Sequence, residues 1–150
     1  MARALIDPPL DPDRYPFAHP VRVRFAETDA MGVVHHASYV PWLEEARVEL
    51  LAHGGHSYAE VHAGGLDLAV VEIAVRYRRA VRFGDPVVVH AGIAAASRSV
   101  IQLAYVVIAD GEAAASAVTT HACVNPEGRP LRVPEWLAAL ADGPTALRPA

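Results

Sequence analysis

Apolar and polar residues alternate over Val21 to Ala26, where Val21, Val23 and Phe25 are separated by Arg22 and Arg24. A period of two predicts a first strand there. The period then changes: from Ser38 onward Tyr39, Leu43, Ala46 and Leu50 recur at intervals of four and three, which predicts an amphipathic helix over Ser38 to Ala52. Ser38 suits the N-cap, Pro41 falls in the first turn where its missing N–H costs little, and His53-Gly54-Gly55 ends the helix. Alternation returns in Leu68 to Tyr77, with Ala69, Val71, Ile73, Val75 and Tyr77 assigned to one face and Glu72 and Arg76 to the other. After the turn Gly84-Asp85-Pro86, Val87 to Ala96 and Val100 to Ala109 read as strands, and Asp110-Gly111 predicts a hairpin into Ala113–Val124. Val100 to Ile108 is apolar on both faces, as a central strand or one under a subunit contact would be. Pro134 to Ala141 predicts a short terminal helix.

These elements sum to an α+β protein, with a five-stranded antiparallel sheet wrapped around one long central helix. The sheet has a second face and free edges to protect, so a homodimer at least is expected. Residues 1–19, with Pro8, Pro9, Pro12 and Pro16, read as an extended N-terminal arm, 20–142 as the domain, and 143–150 as a C-terminal tail.

Composition narrows the function classes. At 150 residues and 53% hydrophobic, the chain builds one substantial core. A net charge of -4 argues against a general nucleic-acid binder. The basic residues are all Arg, and Arg is the better phosphate ligand. The lone Cys123 lies in an apolar strand-like run and reads as a buried structural thiol. No apolar run is long enough for a membrane span, and Met1 to Pro20 lacks the apolar core of a secretory signal, so a soluble cytoplasmic protein is expected.

The candidate chemistry sits between the first strand and the helix. Glu27-Thr28-Asp29 follows the strand, a compact loop with Gly32 comes next, and His35-His36-Ala37-Ser38-Tyr39 leads into the helix. One carboxylate, Asp29, therefore stands a few residues before a helix N-terminus. Unpaired backbone N–H groups at that end can polarise a carbonyl while the carboxylate attacks it or activates water, an arrangement suited to acyl transfer.

The run Glu27-Thr28-Asp29-Ala30-Met31-Gly32-Val33-Val34-His35-His36-Ala37-Ser38-Tyr39, followed by Glu44, Ala46 and Arg47, resembles the hotdog-fold acyl-CoA thioesterases of the 4-hydroxybenzoyl-CoA thioesterase and YbgC-like group. Arg76-Tyr77-Arg78-Arg79, Phe83-Gly84-Asp85 and Asn125-Pro126-Glu127-Gly128-Arg129-Pro130 fit the same pattern, so the resemblance runs from about Val21 to Leu140. It implies a hotdog fold, a homodimer or homotetramer with active sites at a subunit interface, and thioester hydrolysis with no metal or organic cofactor. It further implies Asp29 as the catalytic carboxylate, as nucleophile or general base, and the backbone N–H of His36 facing the thioester oxygen. Some members carry a tyrosine four residues before the acid; Phe25 stands there in this chain.

Other residues complete the expectations. Arg98, with Ser97 and Ser99 between two strands, is a candidate dock for CoA phosphates, and Arg76, Arg78, Arg79 and Arg82 form a second basic group. Tyr39 and Trp42 are read as packing against the sheet or lining the acyl pocket. The i,i+3 spacing of Glu44 and Arg47 permits a surface or interface ion pair. His53, His56 and His62 are interrupted by Gly54-Gly55 and share no helix face, so no metal site is expected. Two other functions stay open: a thioesterase acting on acyl carrier protein, and a non-catalytic acyl- or CoA-binding module.

Overall fold

The computed structural model describes residues 7–150. Five strands, β1 (Phe17–Val21), β2 (Asp67–Tyr77), β3 (Val87–Ala96), β4 (Val100–Ala109) and β5 (Glu112–Val124), form one antiparallel sheet in the order β1-β3-β4-β5-β2. The helices are α1 (Tyr39–His53), α2 (Tyr58–Ala63) and α3 (Glu135–Ala141). Helix α1 buries Tyr39, Trp42, Leu43, Ala46, Leu50 and Leu51, and these pack with Ile101, Leu103, Tyr105 and Val107 of β4 in the main core. This is the hotdog architecture. β4 is central and nearly all buried, as its two apolar faces predicted.

The first strand lies earlier than the alternation suggested. β1 pairs with β3 from Phe17↔Ala91 to Val21↔Val87, inside the stretch read as an arm. At Val87 the partner strand begins, directly after Pro86, so residues beyond Val21 have no ladder to join. The chain instead makes a 3-10 turn over Phe25–Glu27. Pro20 is tolerated because β1 is an edge strand. The faces of β2 also differ from a strict period of two. A bulge between Val70 and Glu72 leaves Val71 without a register partner, so Leu68 and Val70 share a face with Ile73, Val75 and Tyr77, while Ala69 falls on the other. Helix α2 was not foreseen; Ser57 caps it by accepting from Glu60 N at 3.3 Å. The predicted Ser38 cap does not form. The Ser38 hydroxyl donates to the Glu27 carbonyl at 3.3 Å, and the cap is His35, whose Nδ1 accepts from Ala37 N at 3.0 Å.

Two terminal segments cover the outer face of β3 and β4. Tyr15 packs on Ala104 and Val106 with Leu147 beside it. Leu147 N donates to Ile93 O and Ile93 N to Thr145 O, so the tail runs along β3 beyond the point where β1 leaves it. Arg148 N donates to Arg14 O, and Arg14 Nε to Arg148 O, which ties tail to arm. The crossing needs Gly92: a Cβ there would stand 2.8 Å from Pro16 Cδ and 3.3 Å from the Leu147 backbone. Neither a proline ring nor a backbone can swing aside, so Gly92→Ala is expected to cost about 1–3 kcal/mol in urea unfolding, in the range of overpacking. A loss below about 0.5 kcal/mol, the range of neutral surface changes, would mean that arm and tail do not bear on the sheet there.

Candidate functional site

Asp29 opens a tight turn. Its N–H donates to Val33 O and its carbonyl accepts from Gly32 N, each at 2.9 Å, with Gly32 at φ 75, where a side chain would be strained. A bridge between Thr28 and Val34 closes the base of the loop. Within it Asp29 Oδ1 accepts from Met31 N at 2.9 Å, while Oδ2 has no partner among the described residues. Asp29 is half-buried, so one carboxylate oxygen is fixed and the other is available.

The loop delivers the chain to the 3-10 turn His36–Ser38 and then to α1. No acceptor among the described residues takes the His36 N–H, so this helix-start donor is unspent. The His36 ring is exposed and lies 4.0 Å, centroid to centroid, from that of His35. Because His35 Nδ1 accepts from Ala37 N, it carries no proton in this geometry. The His36 carbonyl accepts from the Tyr77 hydroxyl at 2.7 Å, which clamps the helix entrance to the end of β2. Tyr39 is buried beneath, edge-on to Tyr77 at 5.1 Å and 5.0 Å from Trp42. Burial first, then the Tyr77 phenol, raises its hydroxyl to about 12, so the ring serves as a neutral wall.

Of the residues predicted for the site, Asp29, His36 and Tyr39 lie on the one segment that runs through the loop into α1, with His36 and Tyr39 against Tyr77 at the end of β2. Arg98 and Ser99 do not join them within one chain. Their hairpin joins β3 to β4 at the far end, where Ser99 O accepts from Cys123 N. The ten residues of β3 put about 30 Å between the two ends at the rise of a strand. The second basic group is divided. Arg79 pairs with Glu112 and Arg76 with Asp7, whereas Arg82 Nη1 donates to Gly32 O at 3.3 Å and so borders the Asp29 loop. His53, His56 and His62 have separate neighbours in Phe17, Trp136 and Asp67, and among the described residues no three His, Cys, Asp or Glu are grouped as metal ligands would be. Cys123 is buried as read, and burial raises its thiol.

The sequence and the fold find their counterpart among known proteins. A family described as the thioesterase-like superfamily matches residues 23–140. The chain belongs to this superfamily. It is 32% identical over 125 residues to the acyl-CoA thioester hydrolase YbgC of Escherichia coli O6:H1, covering 82% of this chain and 93% of that protein. The hypothetical protein TT1821 of Thermus thermophilus shares its fold with a TM-score of 0.79 and 38% identity, over 83% of this chain and 97% of that one. A Thermus thermophilus thioesterase in complex with coenzyme A and Zn gives a TM-score of 0.76 at 27% identity, over 87% and 95% of the two chains.

In this thioesterase-like chain one polar residue of α1 and one beneath the helix lack full partners among the described residues. Arg47 is 8% exposed and has no ion-pair partner among the described residues, so it does not pair with Glu44 in a single chain. It borders an open groove of about 620 Å³ with Glu44, Val48, Leu68 and Val70, along the free edge of β2. Below it Tyr105 Oη and His121 Nε2 both meet Thr119 Oγ1 at 2.8 Å, and His121 Nδ1 has no partner among the described residues.

Two contributors to the site escaped sequence reading. Glu27 and Tyr77 both fall in the matched motifs, but their partners, Trp42 and the His36 carbonyl, are distant in sequence. An acid two residues before Asp29 and a Trp on the buried face of the following helix were the available signal.

The buried imidazole yields a pH prediction. Desolvation, with the Arg47 charge second, lowers His121 from 6.5 to about 3. Between those values the unfolded chain binds a proton that the folded chain refuses, so stability falls as pH falls below 6.5 and is insensitive to this group above it. The slope approaches about 1.4 kcal/mol per pH unit. In urea titrations from pH 7 to pH 4, His121→Gln should lose that part of the slope. Parallel profiles for both proteins would show that His121 is not held neutral in the fold.

Proposed function

We propose that this protein hydrolyses acyl-CoA thioesters to the free acid and CoA, at the junction of the Asp29 loop and the start of α1. The observation that carries the reading is that one short loop holds, at its two ends, a carboxylate oxygen, Asp29 Oδ2, and a helix-start donor, the His36 N–H, neither of which has a partner among the described residues. The N–H polarises the thioester carbonyl and stabilises the charge that grows on its oxygen. Asp29 then attacks the carbonyl carbon, or draws a proton from a water that does so. By either route the C–S bond breaks, water supplies the new carboxylate oxygen, and the sulfur leaves as the CoA thiol. The exposed His36 ring stands at the mouth of this site, where it orients water or the carboxylate.

The site is completed by a second copy of the chain. β2 is an edge strand, and its inner-face residues Val70, Ile73 and Tyr77 are 53%, 37% and 49% exposed. An unpaired edge with apolar side chains calls for another strand. Two β2 edges joined antiparallel about a two-fold axis set the Tyr77 end of one beside the Asp67 end of the other. The partner's Arg98–Ser99 hairpin belongs to that Asp67 end, next to β5, so its guanidinium and hydroxyl approach the site from across the interface to hold CoA phosphate. The assembly is then a homodimer at least. No helix among the described residues is long and apolar enough to cross a membrane.

Thiol release from a panel of aromatic and aliphatic acyl-CoAs tests the chemistry. Asp29→Asn should lose at least roughly 100-fold in kcat, as expected when the reacting carboxylate is removed, with its oligomeric state unchanged. Turnover on carrier-protein thioesters but no CoA ester would transfer the reading to acyl carrier protein; binding of CoA without any turnover would make the chain a binding module. Mixing tests the shared site. Asp29→Asn and Arg98→Ala subunits, each poor alone, should regain activity when refolded together, because one of the two sites in a mixed dimer then has both native residues. If the mixture stays as poor as its parents, Arg98 does not act across the interface.

A further inference from the structure

We infer that Glu27 is a positioning residue for the reaction: its buried carboxylate fixes the Asp29 loop relative to the start of α1 by accepting from Arg24 N and Trp42 Nε1 together. The inference rests on the assignment of Asp29 and His36 to the chemistry. Glu27 is 6% exposed. Its Oε1 accepts from Arg24 N at 2.7 Å, with the Arg24 guanidinium Nε at 3.6 Å, and its Oε2 accepts from the indole of Trp42 at 2.9 Å. Its backbone is used as fully. The N–H donates to Arg24 O at 2.9 Å, and the carbonyl accepts from His35 N at 2.8 Å and from the Ser38 hydroxyl at 3.3 Å.

These contacts reach four separate points of the site. Arg24 caps the 3-10 turn that follows β1, His35 is the far end of the loop, Ser38 is the approach to the helix, and Trp42 is in the first turn of α1. Asp29 follows Glu27 by two residues, and His36 follows His35 by one. The separation between the reactive carboxylate and the helix-start N–H is thus set across Glu27. A displacement of about 1 Å between reacting groups is enough to cost roughly a hundredfold in rate.

Only a carboxylate fits this place. Two N–H donors converge on it from the backbone and the indole, and they need two acceptor oxygens in one plane. Glutamine offers one acceptor and one donor, so its amide nitrogen must face either the Arg24 N–H or the Trp42 Nε1–H in a buried site. Aspartate is one carbon too short to span both.

The test compares Glu27→Gln with Trp42→Phe, which keeps an aromatic ring in the core and deletes only the indole donor. Both should fold to the same oligomer as the parent. We expect kcat to fall roughly 10- to 100-fold in each, with KM within about threefold because the substrate-binding surface is intact. The double variant should be no slower than the slower single one, since both remove the same bond. The chain has two tryptophans, so the Trp42 indole N–H gives one of two resolvable NMR signals, and it should move upfield in Glu27→Gln. Parent-like kcat in folded Glu27→Gln, while Asp29→Asn is inactive, would overturn the positioning role and leave the catalytic reading standing. Multiplying losses in the double variant would also overturn it. Full turnover in Asp29→Asn would instead remove the catalytic reading, and this inference with it.

Discussion

The architecture is governed by a mismatch of lengths. Helix α1 has 15 residues and so spans about 22 Å at a helical rise. The 13 residues of β5 extend about 43 Å at the rise of a strand. One helix cannot cover such a sheet, and the remaining surface is disposed of piecemeal. Leu137 of α3 and Val133 before it fill the core beyond α1. Arm and tail, bound to one another through Arg14 and Arg148, shield part of the outer face. Along the β2 edge Val70, Val71, Ile73 and Tyr77 stay exposed among the described residues. The proposed site occupies the entrance of α1, where the His36 N–H meets no acceptor among the described residues.

Much of this was legible in local pattern because it depends on local chemistry. The spacing of Tyr39, Leu43, Ala46 and Leu50 located α1, and all four are buried. Asp110-Gly111 located the β4–β5 turn, where Asp110 has φ 50 and Gly111 φ 78. The failures have a common cause, which is that strand pairing is decided by the partner. Val21 to Phe25 has a strand's alternation, yet β3 begins only at Val87, opposite Val21, and the ladder stops there. Phe17 to Val21 contains a proline and a histidine, yet it pairs because β3 is there to receive it. The bulge at Val71 follows the same logic: the sequence of β2 is compatible with an unbroken alternation, and only its register with β5 reveals the extra residue.

The candidate site divides along similar lines. Asp29 and His36 belong to one continuous stretch, so their association could be read from order alone. Arg98 and Ser99 were legible as chemistry but not as location, since the topology sends their hairpin to the opposite end of the sheet. Glu27 and Tyr77 were legible only as members of a motif. Their roles depend on an indole 15 residues away and on a carbonyl 41 residues away, and no periodicity encodes either contact.

Glu27 and Asp29 are two carboxylates of nearly the same chemistry, two residues apart, and their surroundings separate their tasks. Both oxygens of Glu27 accept buried N–H donors, so it has nothing to offer a substrate without first breaking a bond in a place that water does not readily reach. Asp29 spends one oxygen on Met31 N and keeps the other open at a half-buried position. A carboxylate held on both sides is a good strut and a poor nucleophile; one held on a single side is oriented without being saturated. The rigidity of the first makes the orientation of the second useful, because a free oxygen on a mobile loop would lose in alignment what it gained in availability. On the proposed reading, the second of the two acids in Glu27-Thr28-Asp29 serves the chemistry and the first supports it, a distinction that their order in the sequence does not express.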